Sequence, residues 1–150
     1  MFDINRYSGK WWEIGKIPFK YQIPCYYSSA DYNINTSGTI DVINYCLDEK
    51  YNVIGYSQGT TRKVADMKFK LKFDKYVMGN SNIPYDTDEG DYNILYTDYD
   101  NISLVGSPDQ FWVLSRSKKL ESKYIDIIKK IAITNGYNLD TILINKNLIV

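Results

Sequence analysis

Between Ala65 and Phe73 the residues Ala65, Met67, Phe69, Leu71 and Phe73 alternate with Asp66, Lys68, Lys70 and Lys72. One face of such a segment is apolar and the other is charged, so it suits an extended strand with one side on a core and one in water. Its neighbours in the chain have the same character. Tyr26 to Asn33 and Thr39 to Cys46 flank Asn35-Thr36-Ser37-Gly38, whose residue types favour a hairpin turn. Lys10 to Ile17, Asn52 to Gly59, Tyr92 to Thr97, Ile102 to Val105 and Phe111 to Ser115 complete a set of eight predicted strands with no helical pattern between them. That order excludes a parallel sheet and leaves a sandwich or an up-and-down barrel. A closed barrel of eight strands has room for one small ligand.

Only near the C-terminus does the period change. Tyr124, Ile127, Ile128 and Ile131 recur at helical spacing from Glu121 until Gly136 offers a stop, and Lys123, Asp126, Lys129 and Lys130 form the opposite side. Such a helix must bury its stripe, and the outer barrel wall is the large surface available. Thr141 to Ile144 forms a last extended stretch. The polar segment from Asp74 to Asp91 reads as a long loop. The whole chain, 1–150, is one domain without repeats.

Composition narrows the chemistry. The chain has no histidine, which removes Ser-His-Asp triads, Cys-His pairs and histidine metal sites. The 18 basic residues balance the 18 acidic ones, so nothing electrostatic favours nucleic acid. No apolar run approaches the ~20 residues of a membrane helix, and the N-terminus carries no signal-peptide pattern, so the chain as written reads as cytoplasmic, or as secreted, virion- or membrane-associated if a leader has been removed. Its 15 tyrosines suit the walls of a half-wet cavity and an outer barrel surface equally.

Three segments in order resemble the signatures of the lipocalin family, in the branch that holds bacterial outer-membrane lipocalins, plant temperature-induced lipocalins and apolipoprotein D. They are Asn5-Arg6-Tyr7-Ser8-Gly9-Lys10-Trp11-Trp12-Glu13-Ile14, Tyr92 to Tyr99 with its Thr97-Asp98-Tyr99 turn, and Phe111 to Arg116 after Val105-Gly106-Ser107-Pro108-Asp109. The resemblance implies an all-β, eight-stranded antiparallel up-and-down barrel with one C-terminal α-helix on its outer wall. It also implies that Trp11 seals the closed end, with Arg116 lying across it as a cation–π partner. The implied function is non-catalytic carriage of a small hydrophobic ligand or lipid, such as a fatty acid or lysophospholipid, without a cofactor. The alternatives are a lipid-modifying enzyme, or a protein-interaction module that makes contact through an apolar loop tip such as Ile83-Pro84-Tyr85 or Tyr76-Val77-Met78; a second copy of the chain and a membrane surface are further candidate partners. The loop after Phe73 looks longer and more acidic than the family's usual connection, which bears on ligand selectivity.

Period two carries the direction of Trp11 along its strand to Glu13, Gly15 and Ile17. With Val42, Asn44, Met67, Phe69, Leu71, Tyr92, Ile94, Tyr96, Trp112 and Leu114, Glu13 and Gly15 make the expected pocket lining, the alternative being that several of them fill a closed core. Glu13 facing inward requires a partner such as Asn44, a tyrosine hydroxyl or water; it then either orients a polar head group or is a structural acid. Pairing Asn33 with Thr39 places Tyr26 opposite Cys46 and brings Cys25 within reach of a disulfide. That bond suits an oxidising compartment, whereas a chain without a leader suits a reducing one. Asp86-Thr87-Asp88-Glu89-Gly90-Asp91 lacks the spacing of an EF-hand, so no metal site is expected. Lys68, Lys70 and Lys72 read as an exposed strand face with weak attraction for anionic headgroups.

Overall fold

Asp3 starts the fold by capping a single helical turn, α1 (Ile4–Tyr7), its carboxylate accepting from the amides of Asn5 and Arg6 at 3.0 and 3.2 Å. The computed structural model describes residues 1–18, 25–83 and 88–150. Ten strands follow α1 in one antiparallel sheet: β1 (Gly9–Lys16), β2 (Tyr27–Ile34), β3 (Ile40–Leu47), β4 (Val53–Ala65), β5 (Lys68–Met78), β6 (Ser81–Ile83), β7 (Gly90–Thr97), β8 (Ile102–Ser107), β9 (Gln110–Ser115) and β10 (Leu143–Ile144). Sequential neighbours pair from β1 to β5, β5 pairs with β7, and the path continues through β8 to β9. Pairing of β9 with β1 closes the ring, so eight strands form the barrel, while β6 and β10 are short additions to β5 and β1.

The turns differ from the sequence pattern in three places. Ala65 to Phe73 is not one strand: Ala65 ends β4, Asp66 and Met67 turn, and Lys68 begins β5, with Met67 at a left-handed φ of 61°. A methionine there gives no Gly, Pro or Asn signal, and its side chain packs against the inner core from below. The segment from Asp74 is not a long loop either, since β5 continues to Met78 and β6 returns beside it. Its Pro84–Thr87 part lies outside the described residues, and with it Asp86 and Thr87 of the acidic run. Glu89 of that run pairs with Arg62 at 2.7 Å. Finally, the β2–β3 hairpin pairs Asn33 with Asp41 and Ser28 with Cys46, two residues away from the register expected around the turn. Cys25 and Cys46 are bonded, with Cα atoms 5.2 Å apart. A crosslink of this kind contributes about 2–4 kcal/mol.

After the barrel, a 3₁₀ turn at Ser122–Tyr124 leads into α2 (Ile125–Thr134), and Gly136 ends it at φ 83°. Ile128 and Ala132 of α2 are buried with Ile14, Ile102, Leu104, Phe111 and Val113 on the outer faces of β1, β8 and β9. Tyr137 donates to the carbonyl of Ser107, and a side chain on Gly106 would collide with that hydroxyl. Leu139–Thr141 is a 3₁₀ turn, so only Leu143 and Ile144 of the last predicted strand pair with β1.

Candidate functional site

One cluster of aromatic and apolar side chains faces the interior of the barrel. At the base Trp11 is fully buried, its indole N–H donating to the carbonyl of Tyr7 at 2.9 Å. The Arg116 guanidinium lies 3.8 Å from the centre of the Trp11 ring. Its N–H groups donate to the carbonyls of Tyr99, Lys10 and Arg6 at 2.8, 2.9 and 2.8 Å, which ties α1, β1 and the β7–β8 turn together. Gly9 passes beneath it at φ 100°, where a side chain would be strained and would press on the guanidinium at 3.3 Å. Tyr99, at φ 66°, is held by a turn in which Asp98 accepts from the amides of Asn101 and Ile102, both at 2.8 Å. Burial works to raise the Asp98 carboxyl, yet those amide bonds outweigh it and hold the group below the usual range.

Beside Trp11, Tyr32, Tyr92, Tyr7 and Ser103 form a buried chain of hydroxyls, with steps of 2.9, 2.7 and 2.8 Å. Phe2 packs edge-on against both Tyr7 and Phe69. The lower barrel is therefore filled by Phe2, Tyr7, Trp11, Tyr32, Phe69 and Tyr92. Tyr7, Tyr32 and Ser103 were not picked out by the sequence, though the parity of Tyr32 with Ala30 on β2 carries the signal for one of them.

Most of the remaining expected lining faces inward. Val42 faces Tyr32, Asn44 faces Ala30, and Leu71 faces Thr61 across their ladders. Ile94 and Leu114 belong to the inner cluster, and Trp112 packs against it. Two expected residues point elsewhere, because β-bulges interrupt the period. In β7, Ile94 pairs with Val105 but the next paired residue is Tyr96, opposite Leu104. Leu95 and Tyr96 therefore both lie on the outer wall with the α2 cluster. In β1, Glu13 pairs with Leu114 while Gly15 pairs with the outward Val113, so Gly15 also faces out, where a side chain would collide with the Leu143 and Ile144 backbone of β10.

The β1 bulge has a chemical effect. It returns Lys16, opposite Trp112, to the inner side three residues after Glu13. The two side chains form an ion pair at 3.3 Å, only 17% exposed for Glu13 and 21% for Lys16. The partner of Glu13 is thus neither Asn44 nor a tyrosine but a lysine that period two assigns to the outside. Both sulfurs are committed to the disulfide, so neither is a thiol nucleophile in this form. Among the described residues no three acidic, cysteine or histidine side chains gather as a metal site, and no helix is long and apolar enough to cross a membrane.

A closed eight-stranded antiparallel barrel, with an aromatic floor at one end and apolar side chains facing inward, has the architecture of a calyx. The lipocalin-like domain model matches residues 2–147, and the chain belongs to the lipocalin family, whose members generally bind small hydrophobic ligands. It is 31% identical to temperature-induced lipocalin-1 of Arabidopsis thaliana over 91% of this chain and 75% of that protein. With apolipoprotein D of Macaca fascicularis it shares 29% identity, covering 92% of this chain and 73% of the relative. Insecticyanin from the tobacco hornworm Manduca sexta has the same fold, with a TM-score of 0.68 at 20% identity over 97% of this chain and 80% of its own.

Proposed function

We propose that this lipocalin binds a fatty acid, a lysophospholipid or a similar single-chain amphiphile reversibly inside the barrel and performs no chemistry on it. The observation that carries the reading is the inward-facing apolar set of a closed barrel, the half-buried Leu71 and Trp112 beside the buried Val42, Ile94 and Leu114, with the Glu13–Lys16 pair as the polar feature towards the end away from Trp11. Each buried methylene contributes about 0.8 kcal/mol, so a long chain reaches micromolar affinity through burial alone. Native mass spectrometry of the purified protein, organic extraction and titration with a fluorescent fatty acid test it. A co-purifying lipid or saturable, displaceable uptake supports carriage; no bound mass and no uptake sinks it.

A second reading is favoured by exposed apolar residues at the end away from Trp11, where Tyr26, Val53, Ile54 and Ile83 sit at strand ends. They suit contact with a membrane surface or a second copy of the chain. Vesicle flotation and sedimentation velocity separate the two, and a monomer that ignores vesicles removes both. Tyr76-Val77-Met78, a contact segment suggested by sequence, is instead paired within β5; Pro84 and Tyr85 lie outside the described residues.

A further inference from the structure

The barrel wall is not continuous between β1 and β2. Their pairing runs from Gly9↔Tyr32 to Trp12↔Ser29 and stops there, although both strands continue. Farther along, the same edge of β1 is taken by β10, through Gly15↔Ile144 and Lys16↔Leu143, while the amide of Asn145 donates to the carbonyl of Ile14 at 3.0 Å. Between the diverging strands lies a cavity of about 240 Å³. Its lining mixes residues of both sheet faces: Glu13, Lys16 and Ser28 from the inner side, Ile14, Tyr27 and Leu148 from the outer cluster. One cavity bordered by residues of both faces thus lies in the gap between the two strands.

We infer that this gap is a lateral opening into the calyx, and that it holds the polar head of a single-chain zwitterionic amphiphile at the Glu13–Lys16 pair. The inference rests on the carrier reading above and specifies its headgroup. Two opposite charges already paired and mostly removed from water are costly to separate unless each finds a new partner. A head with one anionic and one cationic group supplies both, its anion to Lys16 and its cation to Glu13, and the site stays neutral. A singly charged head takes one member of the pair and strands the other, which discriminates against it. The apolar residues at the outer end, Ile14, Tyr27 and Leu148, receive the methyl or methylene groups of the head, while the tail enters the barrel.

The test compares dodecylphosphocholine with dodecanoate, both below micelle-forming concentration, by displacement of a fluorescent fatty acid and by native mass spectrometry. The wild-type chain is expected to bind dodecylphosphocholine at least ten-fold tighter. Glu13→Gln frees Lys16 and should invert the preference towards dodecanoate; Lys16→Gln should weaken dodecanoate further. Ser28→Trp, which fills the opening from its inner side, should abolish the preference, with near-ultraviolet circular dichroism to establish that each variant is folded. Dodecanoate binding that equals dodecylphosphocholine binding, or a ratio that E13Q and K16Q leave unchanged, overturns the headgroup site and leaves carriage standing. A preference that survives S28W places the head at the mouth and overturns the opening. Failure of the wild type to bind either probe or the fluorescent fatty acid removes the carrier reading as well.

Discussion

Tyr7 shows how a single buried hydroxyl links the packing of the base to pH. Burial is the main influence on it; the hydrogen bonds from Ser103 and Tyr92 and the charge of Arg116 act the other way, and the balance pushes it up to about 12 from the ordinary 10.0. Burial also raises Tyr32 and Tyr92, and in both the neighbouring Tyr7 phenol adds to the rise. A folded value above the unfolded one means that the neutral form is favoured by folding. The stabilisation is complete below pH 10 and is lost as pH rises from there through the folded values, about 3 kcal/mol for Tyr7 alone at the conversion of ~1.4 kcal/mol per unit. Ultraviolet titration should therefore show a set of tyrosines that ionise only together with unfolding, and a smooth titration of all 15 on a folded protein would contradict the buried chain. Arg116 makes the second prediction at this scale. Its fork reaches four carbonyls, those of Arg6, Tyr7, Lys10 and Tyr99, while its plane covers Trp11, a combination that a lysine ammonium cannot reproduce. Arg116→Lys should lower stability by about 2–3 kcal/mol in denaturant titrations, in line with charged hydrogen bonds of ~1.5–3 kcal/mol and cation–π contacts of ~0.5–2.

At the scale of elements, bulges decide what period two cannot. Tyr96 alternates correctly with Tyr92 and Ile94 in the sequence, yet one extra residue in β7 places it against the outer cluster with Leu95. Tyr96→Ala should then loosen the packing around α2 and cost about 2–4 kcal/mol of stability, while displacement of a bound fluorescent fatty acid is unchanged. Reduced ligand affinity without a stability loss would return Tyr96 to the pocket. Much of the architecture was legible because strands write their faces directly into the chain: the barrel order, the helix on the wall and the Trp11–Arg116 contact follow from alternation and from the three motifs. The bulges at Ile14 and Leu95 were not, because an inserted residue leaves the hydrophobic pattern intact while reversing every face beyond it. Lys16 was missed for that reason, since its inward direction exists only after the shift. The Asp66–Met67 turn was hidden differently, by an alternation that runs on through it although the chain reverses.

For the whole molecule, the filled base limits how deep a ligand can lie. Phe2, Tyr7, Trp11, Tyr32, Phe69 and Tyr92 occupy the closed end, and their hydroxyls satisfy one another rather than a guest. An alkyl tail descending from the Glu13–Lys16 level therefore meets a polar, close-packed layer at Tyr32 and Tyr92. Affinity across a homologous series of fatty acids should rise by about 0.8 kcal/mol per methylene while the tail still finds apolar wall, then level off once it reaches that layer. The plateau separates this barrel from one hollow to its floor, in which the gain continues to longer chains. Phe69 offers the means of moving it: Phe69→Ala removes a ring at the level of Tyr92, its cross-strand neighbour, without breaking the hydroxyl chain. That variant should lose about 3–5 kcal/mol of stability through the space it opens, and recover part of the loss when a longer chain fills it. Calorimetric titration of wild type and F69A with the same series reads both effects. A plateau that stays at the same chain length in F69A would show that the tail is stopped by something other than the aromatic layer.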